Sequence, residues 1–473
     1  MREGGGVKLL GFFVFLPFLL YKTLCSPLTQ AALQFVELVL HRCVKSIRLE
    51  SLYLDPELVK ALCARLPDLP DLTVLSLNGV SCKKHRLLES GCLPGGRLQF
   101  LPNLTTIYIS DVDEETIHSL SVFCPNLLSL TIKDSNLSDQ IVSFIACMKK
   151  LKSLSFEGEC QPSPCGYAEL LRNLPDLRNL GQCNCFGEVL STLYSNWSIY
   201  YRSVGGIPKI LKLESVDCNG PISGQEIAFI QTYCPNIKSI KLAYSLMNRL
   251  EARESFGHLT SLSTLANLQR LGVTSADFYS HSLFCVLRMG TKLTSLELAN
   301  IDEMNLNAIM LIGANCPNLE QLSIFCCHYT VEEADTRKLA EACTIQELAK
   351  DSAPFKCLKE AKYILNTSTH LPLLKYPVFF ARGLQELRLD QVYQPVDDGF
   401  VSSLIAWNPM AKLERFQLNQ GPHLSIMAAN TLIQACPNLK YIGNVLSWGL
   451  VEPEEIIAMR GEIKQRNLDL VLV

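Results

Sequence analysis

The sequence predicts an α/β solenoid of stacked repeats, in which parallel strands line one side and helices the other. Three observations lead to this fold class. A short apolar motif recurs ten times, the copies follow one another at nearly constant intervals, and 48% of the 473 residues are hydrophobic. A unit that cannot bury its apolar face alone has to stack on its neighbours, and the stack then shares one continuous core.

Seven segments carry a junction that is typical of a helix end. Four copies read Cys-Pro-Asn-Leu or Cys-Pro-Asn-Ile, and three relatives read Leu-Pro-Asp-Leu or Leu-Pro-Asn-Leu, at residues 124–127, 234–237, 316–319, 436–439, 66–69, 101–104 and 174–177. We expect the buried Cys or Leu to close the preceding helix and Pro to prevent its continuation. The Asn or Asp should form the turn by using its side chain against nearby backbone.

A strand pattern, L-x-x-L-x-L, follows the junction in four segments and occurs in six others without a Cys-Pro lead-in. It is present at Leu72/Leu75/Leu77, Leu104/Ile107/Ile109, Leu127/Leu130/Ile132, Leu151/Leu154/Phe156, Ile237/Ile240/Leu242, Leu268/Leu271/Val273, Leu293/Leu296/Leu298, Leu319/Leu322/Ile324, Leu384/Leu387/Leu389 and Leu413/Phe416/Leu418. Side chains alternate across a strand, so the apolar positions should face the core and the intervening positions should face away from it.

The spacing and the intervening segments complete the repeat. First leucines lie 23, 24 and 26 residues apart from Leu104 to Leu177, and 25 and 26 residues apart from Leu268 to Leu319. Segments such as 139–147 carry a helical apolar period, with Ser138 or Asp139 as the N-terminal cap. This length and order predict a leucine-rich-repeat horseshoe with a parallel concave sheet and outer helices.

The chain divides by these patterns into five segments. We predict an apolar leader (1–26, signal-like or non-native), a helical N-terminal cap or degenerate adaptor-docking module (27–70), leucine-rich repeats (71–325), an irregular or helical insertion (326–380), and C-terminal repeats with a cap (381–473). A weaker repeat around Ile210 and Leu213 fills a gap in the first array. A degenerate repeat beginning at Leu358 is the alternative to a helical insertion.

Composition favours a reducing compartment. The 43 basic and 46 acidic residues give a net charge of -3, which provides no electrostatic basis for binding nucleic acid or a membrane surface. The 20 cysteines are spread along the chain in apolar surroundings, as expected of buried free thiols. We therefore predict a cytoplasmic protein, with the nucleus as an alternative. The apolar run at 9–21 and sequons at Asn103, Asn136, Asn196 and Asn366 leave a secreted or membrane-anchored protein as a second alternative.

The sequence contains no pattern that predicts catalysis, a cofactor or a small-molecule substrate. It lacks a P-loop, a dinucleotide-binding glycine loop, a Gly-x-Ser-x-Gly elbow and a His-Glu-x-x-His motif. Cys160, Cys165, Cys183 and Cys185 offer four thiols to zinc, but their spacing matches no common zinc finger, which favours buried or loop thiols. Cys326 to His328 is interpreted as core and turn, and the acidic groups at 113–115 and 452–455 as helix starts.

The candidate site is the concave strand face, where side chains at the x positions have no role in the core. Tyr108, Phe325, Arg388 and Arg415 are the expected anchors, because aromatic residues and Arg dominate binding energy at interfaces. The full candidate set is Thr106, Tyr108, Lys133, Glu157, Lys241, Arg270, Glu297, Gln321, Phe325, Glu386, Arg388, Asp390, Arg415 and Gln417. The expected ligand is a target protein.

The Cys-Pro-Asn-Leu junction, followed by L-x-x-L-x-L and a helix, resembles the cysteine-containing leucine-rich repeats of F-box proteins. The resemblance covers roughly residues 66–445. It implies a substrate receptor of a cullin-RING ubiquitin ligase, in which a separate subunit carries the chemistry.

The same resemblance implies a docking module for a cullin adaptor in residues 27–70. Asp55-Pro56-Glu57-Leu58 with an amphipathic helix is similar to a fragment of an F-box, although no intact F-box is present. The helix predicted at 28–43 could complete the docking surface or form a degenerate elongin-binding box, with Ala32 where that box has Cys. The alternatives are a plain cap of the solenoid, and an interaction scaffold without a ligase.

Overall fold

The computed structural model of the protein divides into two compact units, Met1–Asn219 with Phe229–Ile237 (unit 1) and Gly220–Ala228 with Lys238–Val473 (unit 2). It describes residues 43–50, 62–78, 95–110, 112–133, 139–158, 161–193, 210–218, 222–243, 257–274, 288–301, 304–327, 353–364, 371–390, 397–419, 421–466 and 468–472. The apolar leader, the sequons at Asn136, Asn196 and Asn366, and most of the segment 27–70 lie outside these residues.

Unit 1 contains a parallel sheet whose strands follow one another in chain order. The strands are β1 (Ser46–Glu50), β2 (Val74–Asn78), β3 (Thr106–Ser110), β4 (Ser129–Lys133), β5 (Ser153–Glu157), β6 (Asn179–Cys183) and β7 (Ser215–Cys218). The register pairs corresponding repeat positions, for example Leu130 with Leu154. Between β6 and β7 the register shifts at Gly181.

Unit 2 is built on the same plan. Its parallel strands are β8 (Ser239–Ala243), β9 (Arg270–Thr274), β10 (Ser295–Ala299), β11 (Gln321–Phe325), β12 (Glu360–Ile364), β13 (Glu386–Asp390), β14 (Arg415–Leu418), β15 (Tyr441–Gly443) and β16 (Val471–Leu472). Leu130 in unit 1, and Ile240, Leu296 and Leu387 in unit 2, therefore occupy parallel sheets as the repeat predicts. The leucine-rich-repeat fold class is confirmed.

Helices return the chain from one strand to the next. Within the described ranges, the α-helices include α1 (Glu114–Phe123), α2 (Gln140–Ala146), α3 (Pro164–Asn173), α4 (Gly224–Tyr233), α5 (Leu306–Asn315), α6 (Leu371–Phe380), α7 (Asp398–Trp407), α8 (Ile426–Ala435) and α9 (Pro453–Gln465), and residues 62–65 and 186–193 are also helical. The 3-10 segments there include Leu66–Asp68, Gly95–Phe100, Gly257–Thr264 and Val445–Ser447. Among the described residues, no helix has both the length and the apolar character needed to span a membrane.

The core of each unit consists of the repeated apolar positions. Leu130, Leu154 and Leu180 stack in unit 1, and each exposes 2% of its surface or less. Leu296 and Leu322 occupy the same position in unit 2 and are fully buried. Burial of one such side chain contributes about 1.5–3 kcal/mol, so the stack is the main source of stability.

The junction cysteine closes its helix, as the sequence predicts. The backbone N–H of Cys124 donates to the Leu120 carbonyl at the end of α1, and that of Cys316 donates to the Ile312 carbonyl at the end of α5. Both thiols are buried, and burial raises the pKa of each to about 12. These thiols act as small apolar groups in the core.

The junction asparagine works differently from the prediction of a local turn. Asn126 Nδ2 donates to the carbonyl of Pro102 in the preceding repeat, at 3.2 Å. Asn103, Asn318 and Asn438 make the same kind of contact, 27 to 33 residues back along the chain. Backbone closes the turn instead, since Leu127 N–H donates to the Cys124 carbonyl. The asparagine side chain therefore links neighbouring repeats and does not close the turn.

Two of the predicted helix starts are found, and the one at Asp139 differs in detail. Asp113 caps α1 by accepting from the Thr116 N–H at 2.8 Å, and the Glu452–Glu455 capping box opens α9. Asp139 stands at the start of α2 but makes no cap hydrogen bond there. Its carboxylate accepts instead from the Ser163 N–H and hydroxyl of the next repeat. Ser138, the other predicted cap, lies outside the described residues.

Two strands lie in segments for which we predicted no regular repeat. β1 lies within 27–70, and β12 lies within 326–380 and pairs on both sides with full register. The strand pattern begins at Leu358, and β12 places Ala361 and Tyr363 at its two later core positions. All three residues are fully buried. The described part of that segment, 353–364 and 371–380, thus contains a strand and a helix.

Candidate functional site

Each unit presents one open face of its sheet, which we call the unit 1 face and the unit 2 face. The faces consist of the first, third and fifth side chains of each strand, which alternate with buried core residues along β4, β5, β10 and β13. All 14 candidate residues are exposed or half-buried. Two other outward positions, Ser110 and Ser239, are buried at 3% and 8% exposure and are therefore not available to a partner.

The unit 1 face is rich in hydroxyl groups. Thr106, Ser129 and Ser153 are in register across β3, β4 and β5. The Tyr108 hydroxyl donates to Glu157 Oε2 at 2.6 Å, so this contact spans β4 and joins residues 49 positions apart. The side chains of Tyr108 and Glu157 therefore hold each other in place, although the sequence pattern predicts them only as separate outward positions.

One end of the unit 2 face carries a second contact that spans a strand. Lys241 Nζ on β8 lies 2.9 Å from Glu297 Oε2 on β10, across Gly272 on β9. A Cβ at position 272 would lie 2.9 Å from Lys241 Cγ. The missing side chain at Gly272 therefore lets the lysine lie flat over the middle strand. Arg270 and Gln321 are exposed in the adjoining row.

An apolar strip follows in the middle of the unit 2 face. The last strand residues Ala299, Phe325 and Ile364 are in register on β10, β11 and β12, and all three are half-buried. Phe325 is the largest of them and the predicted aromatic anchor. Interfaces typically place such an apolar group inside a polar rim.

The strands β12 to β14 carry a network of charges. Glu386 lies 3.8 Å from Lys362 Nζ and 3.7 Å from Arg415 Nε, so the carboxylate forms ion pairs with both neighbouring strands. The Arg415 guanidinium also stacks on Tyr441, at 4.6 Å from the ring centroid. Its side chain remains 56% exposed. The guanidinium is thus held in place while much of its surface still faces solvent.

Arg388 belongs to the same network. Its Nε lies 2.7 Å from Asp390 on the same strand, and Asp390 also accepts from the Asn419 amide. Gln417 donates to Asn419 at 3.3 Å. The candidate residues Glu386, Arg388, Asp390, Arg415 and Gln417 are therefore brought together, whereas the other candidates of unit 2 lie on β8 to β11.

Sequence reasoning missed three members of this network: Glu360, Lys362 and Tyr441. Glu360 and Lys362 lie on β12, whose Ala361 and Tyr363 replace the leucines that mark a strand elsewhere. Leu358 and the 26-residue step from there to Leu384 were the available signal. Tyr441 follows the last Cys-Pro-Asn-Leu junction, which should have indicated one more strand.

The cysteines considered for zinc do not assemble into a site in the described part of the chain. Cys160 lies outside it, and Cys165 is exposed at the start of α3. No group of three or more His, Cys, Asp or Glu residues suited to a metal ion is found among the described residues. Cys326 adopts a left-handed turn with φ 50° after β11, and Cys327 is buried.

Comparison with known proteins gives one curated relative of note. No family model matches the chain. The DNA repair protein rhp7 of Schizosaccharomyces pombe is 26% identical over 171 residues, which are 35% of this chain and 29% of that protein. The match thus spans less than a third of the relative.

Solved structures with similar repeats share little sequence with this chain. Rad7 in the crystal structure of the yeast Rad7 and Elc1 complex is 15% identical, with a TM-score of 0.42 over 83% of this chain and 85% of that chain. The leucine-rich-repeat protein LegL7 of Legionella pneumophila is 13% identical, with a TM-score of 0.35 over 61% of this chain and 93% of that chain.

Proposed function

We propose that this chain is the substrate-recognition subunit of a cullin-RING ubiquitin ligase and that it binds its target protein through the open sheet faces. The observation that carries the proposal is the ordered side-chain surface of the unit 2 face. Lys241, Glu297, Arg388 and Arg415 are each held by a partner on the same face, and Phe325 lies in the apolar strip between them.

Pre-ordered side chains favour binding because they lose less conformational entropy when a partner docks. Arg415 is the best anchor, since its stacking on Tyr441 holds the guanidinium while leaving it accessible to a carboxylate of the target. Phe325 would supply the apolar contact. A target that pairs an acidic group with an apolar side chain fits this face.

The ligase assignment is supported by the resemblance of the Cys-Pro-Asn-Leu repeats to those of F-box proteins. The relative rhp7 is named a DNA repair protein, and the segment it shares with this chain is short. A receptor that leaves catalysis to another subunit also agrees with a sequence that lacks catalytic motifs.

Target binding is tested with charge reversal on the unit 2 face. Arg415→Glu should remove a specific set of proteins from affinity purifications of the full chain, and a purified member of that set should bind the wild type directly. Lys440→Glu is the matched control, because Lys440 is also 56% exposed and paired with a glutamate, but lies just before β15, off the face. Equal loss of these proteins from purifications of both variants would contradict the proposed face.

Adaptor binding needs a smaller deletion than the whole segment 27–70. That segment contains β1, and its removal would leave the edge of β2 unpaired. Deletion of 27–42 spares β1. We expect the full-length chain to retain a cullin adaptor in purifications, the deletion to lose it, and Arg415→Glu to keep it.

An interaction scaffold without a ligase is the second candidate, because the sheet faces would serve it equally well. It predicts that the Arg415→Glu variant loses its target while no cullin adaptor is recovered with any variant. Recovery of the adaptor with the wild type and with Arg415→Glu, but not with the 27–42 deletion, would reject the scaffold.

A further inference from the structure

Two cysteines that the proposed function does not use lie side by side at the end of β6. Cys183 is the last residue of the strand, Asn184 and Cys185 form a turn, and residues 186–193 are helical. Cys183 is fully buried, while Cys185 is half-buried. One thiol of the pair is therefore in the core and the other is accessible to a small reagent.

The two thiols lie two residues apart in one turn. Interaction with the Cys183 side chain lowers the pKa of the Cys185 thiol. The same interaction, together with burial, raises the pKa of Cys183. Cys185 is thus the more reactive thiol, since the thiolate is the attacking form, and Cys183 is the adjacent thiol that can resolve a product.

The turn that holds the pair is fixed by polar contacts. The Asn184 N–H donates to Gln161 Oε1 at 2.9 Å. The buried Tyr167 hydroxyl donates to the Gln182 carbonyl at 3.2 Å. These contacts on both sides of Cys183 keep the two thiols together in the folded protein.

The spacing also suits a disulfide. Two residues of extended chain span at most about 7 Å. A turn between Cys183 and Cys185 shortens that span, so the Cα atoms lie near the range of about 4.4–6.8 Å found in disulfides.

We propose that Cys183 and Cys185 are an oxidation site that forms an intrachain disulfide in reaction with a low-molecular-weight disulfide such as oxidised glutathione. The Cys185 thiolate attacks one glutathione sulfur, the glutathione S–S bond breaks, and one glutathione leaves as a thiolate that takes a proton. Cys183 then loses its proton and attacks the Cys185 sulfur, which expels the second glutathione thiolate. Two protein thiols are oxidised, and one glutathione disulfide is reduced to two thiols.

Cys218 is the competing partner for Cys183. It is buried, and β7 holds it in register with Cys183. Trypsin separates the two possibilities, because the peptide 179–202 contains Cys183 and Cys185 and no other cysteine, whereas Cys218 falls in the peptide 213–238. A Cys183–Cys218 disulfide would join two peptides, and the proposed disulfide lies within one.

The experiment treats the folded full chain with oxidised glutathione, blocks remaining thiols by alkylation, and maps tryptic peptides by mass spectrometry. We expect peptide 179–202 to lose two hydrogen atoms and to resist alkylation until a reductant is added. In Cys183→Ser, the same peptide should accumulate a glutathione adduct at Cys185. In Cys185→Ser, Cys183 should stay reduced. Cys165→Ser, which removes an exposed solitary thiol, should leave the disulfide yield unchanged.

The proposal is wrong if peptide 179–202 stays reduced, carries a stable glutathione adduct in the wild type, or is cross-linked to peptide 213–238. It is also wrong if urea-unfolded protein forms the disulfide as fast as folded protein, because the folded turn would then contribute nothing. If a serine variant does not fold, the time course of the wild type alone tests the proposal. In that time course the glutathione adduct should appear before the disulfide. Its failure would leave the proposed target binding untouched, since no face residue is changed.

Discussion

The two sheet faces share a backbone plan and differ in chemistry. On the unit 1 face, β3 to β5 present Thr106, Ser129 and Ser153, with the neutral Tyr108 hydroxyl bonded to Glu157. On the unit 2 face, the outward positions of β12 to β14 are charged except at Ile364 and Gln417. Behind both faces the corresponding core positions are apolar and buried. The comparison teaches that the core sets the repeat, while the outward positions are free to carry different surfaces.

The largest effect should come from the shared core. Leu130→Ala in unit 1 and Leu296→Ala in unit 2 each empty a fully buried position, and each should lower the free energy of unfolding by about 2–5 kcal/mol. Urea denaturation with hydrogen exchange of each unit measures the loss. Thr131→Ala and Ser323→Ala, on the open faces, are the controls. If only one of the two leucine variants lowered the free energy of unfolding, the two cores would not be equivalent.

A smaller effect should come from a junction where unit 2 departs from the repeat. Asn408 stands where other junctions have Cys, is buried at 1% exposure, and donates to the Val378 and Ala381 carbonyls at 2.7 and 2.9 Å. Asn408→Ala removes the amide donor from the Val378 carbonyl, one of two donors from the Ala381 carbonyl, and the acceptor of the Met410 N–H, and should cost about 1–3 kcal/mol. Cys316→Ala, at an ordinary junction, should cost less in the same urea titration. The reverse order would mean that these amide bonds contribute little.

The pH dependence of stability should be similar in both units. Burial raises the pKa of Cys124 and Cys234 in unit 1, and of Cys316 in unit 2, from an ordinary 9.0 to about 12. Above pH 9 the unfolded chain loses these protons and the folded chain keeps them. The stabilisation is therefore complete below pH 9 and falls as the pH rises towards 12, by up to about 1.4 kcal/mol per pH unit for each thiol.

Urea midpoints between pH 7 and pH 11 check this decline. A Cys124→Ala and Cys316→Ala double variant should show a shallower decline than the wild type over the same range. An identical slope would exclude these thiols as its cause.

The smallest effects should separate the two faces by their response to salt. Tyr108→Phe removes a partly buried hydrogen bond and should cost about 0.5–1.5 kcal/mol, with only weak dependence on added salt. Arg415→Ala removes an exposed ion pair and should cost less than about 1 kcal/mol, an amount that shrinks as the ionic strength rises. Thermal unfolding at low and high sodium chloride measures both. Equal salt responses would remove the distinction between the faces.

The sequence predicted the fold well wherever leucine marks the strand. β4 and β10 begin within two residues of their first leucines, because a fully apolar L-x-x-L-x-L can hardly be satisfied except by a buried strand. β12 was missed because its core positions are Ala361 and Tyr363, and β1 because it follows Val44 and uses Ile47. Both obey the same spacing with other apolar residues.

The residues of the candidate site could be predicted as outward positions, but their contacts could not. The Tyr108–Glu157 bond depends on the register of three strands and on the reach of a tyrosine across β4. The Lys241–Glu297 pair depends on a glycine in the intervening strand. Such contacts arise between repeats, and the sequence of one repeat contains no information about them.

Asparagine bridges of one kind join four pairs of neighbouring repeats in the described part of the chain. Asn103 binds the Pro70 carbonyl as Asn126 binds that of Pro102, and a leucine follows each asparagine. Excising residues 104–126 would bring Leu127 directly after Asn103 and preserve both the bridge and the start of the next strand. The array is therefore modular, so that whole layers can be removed or duplicated without redesigning the joints between them.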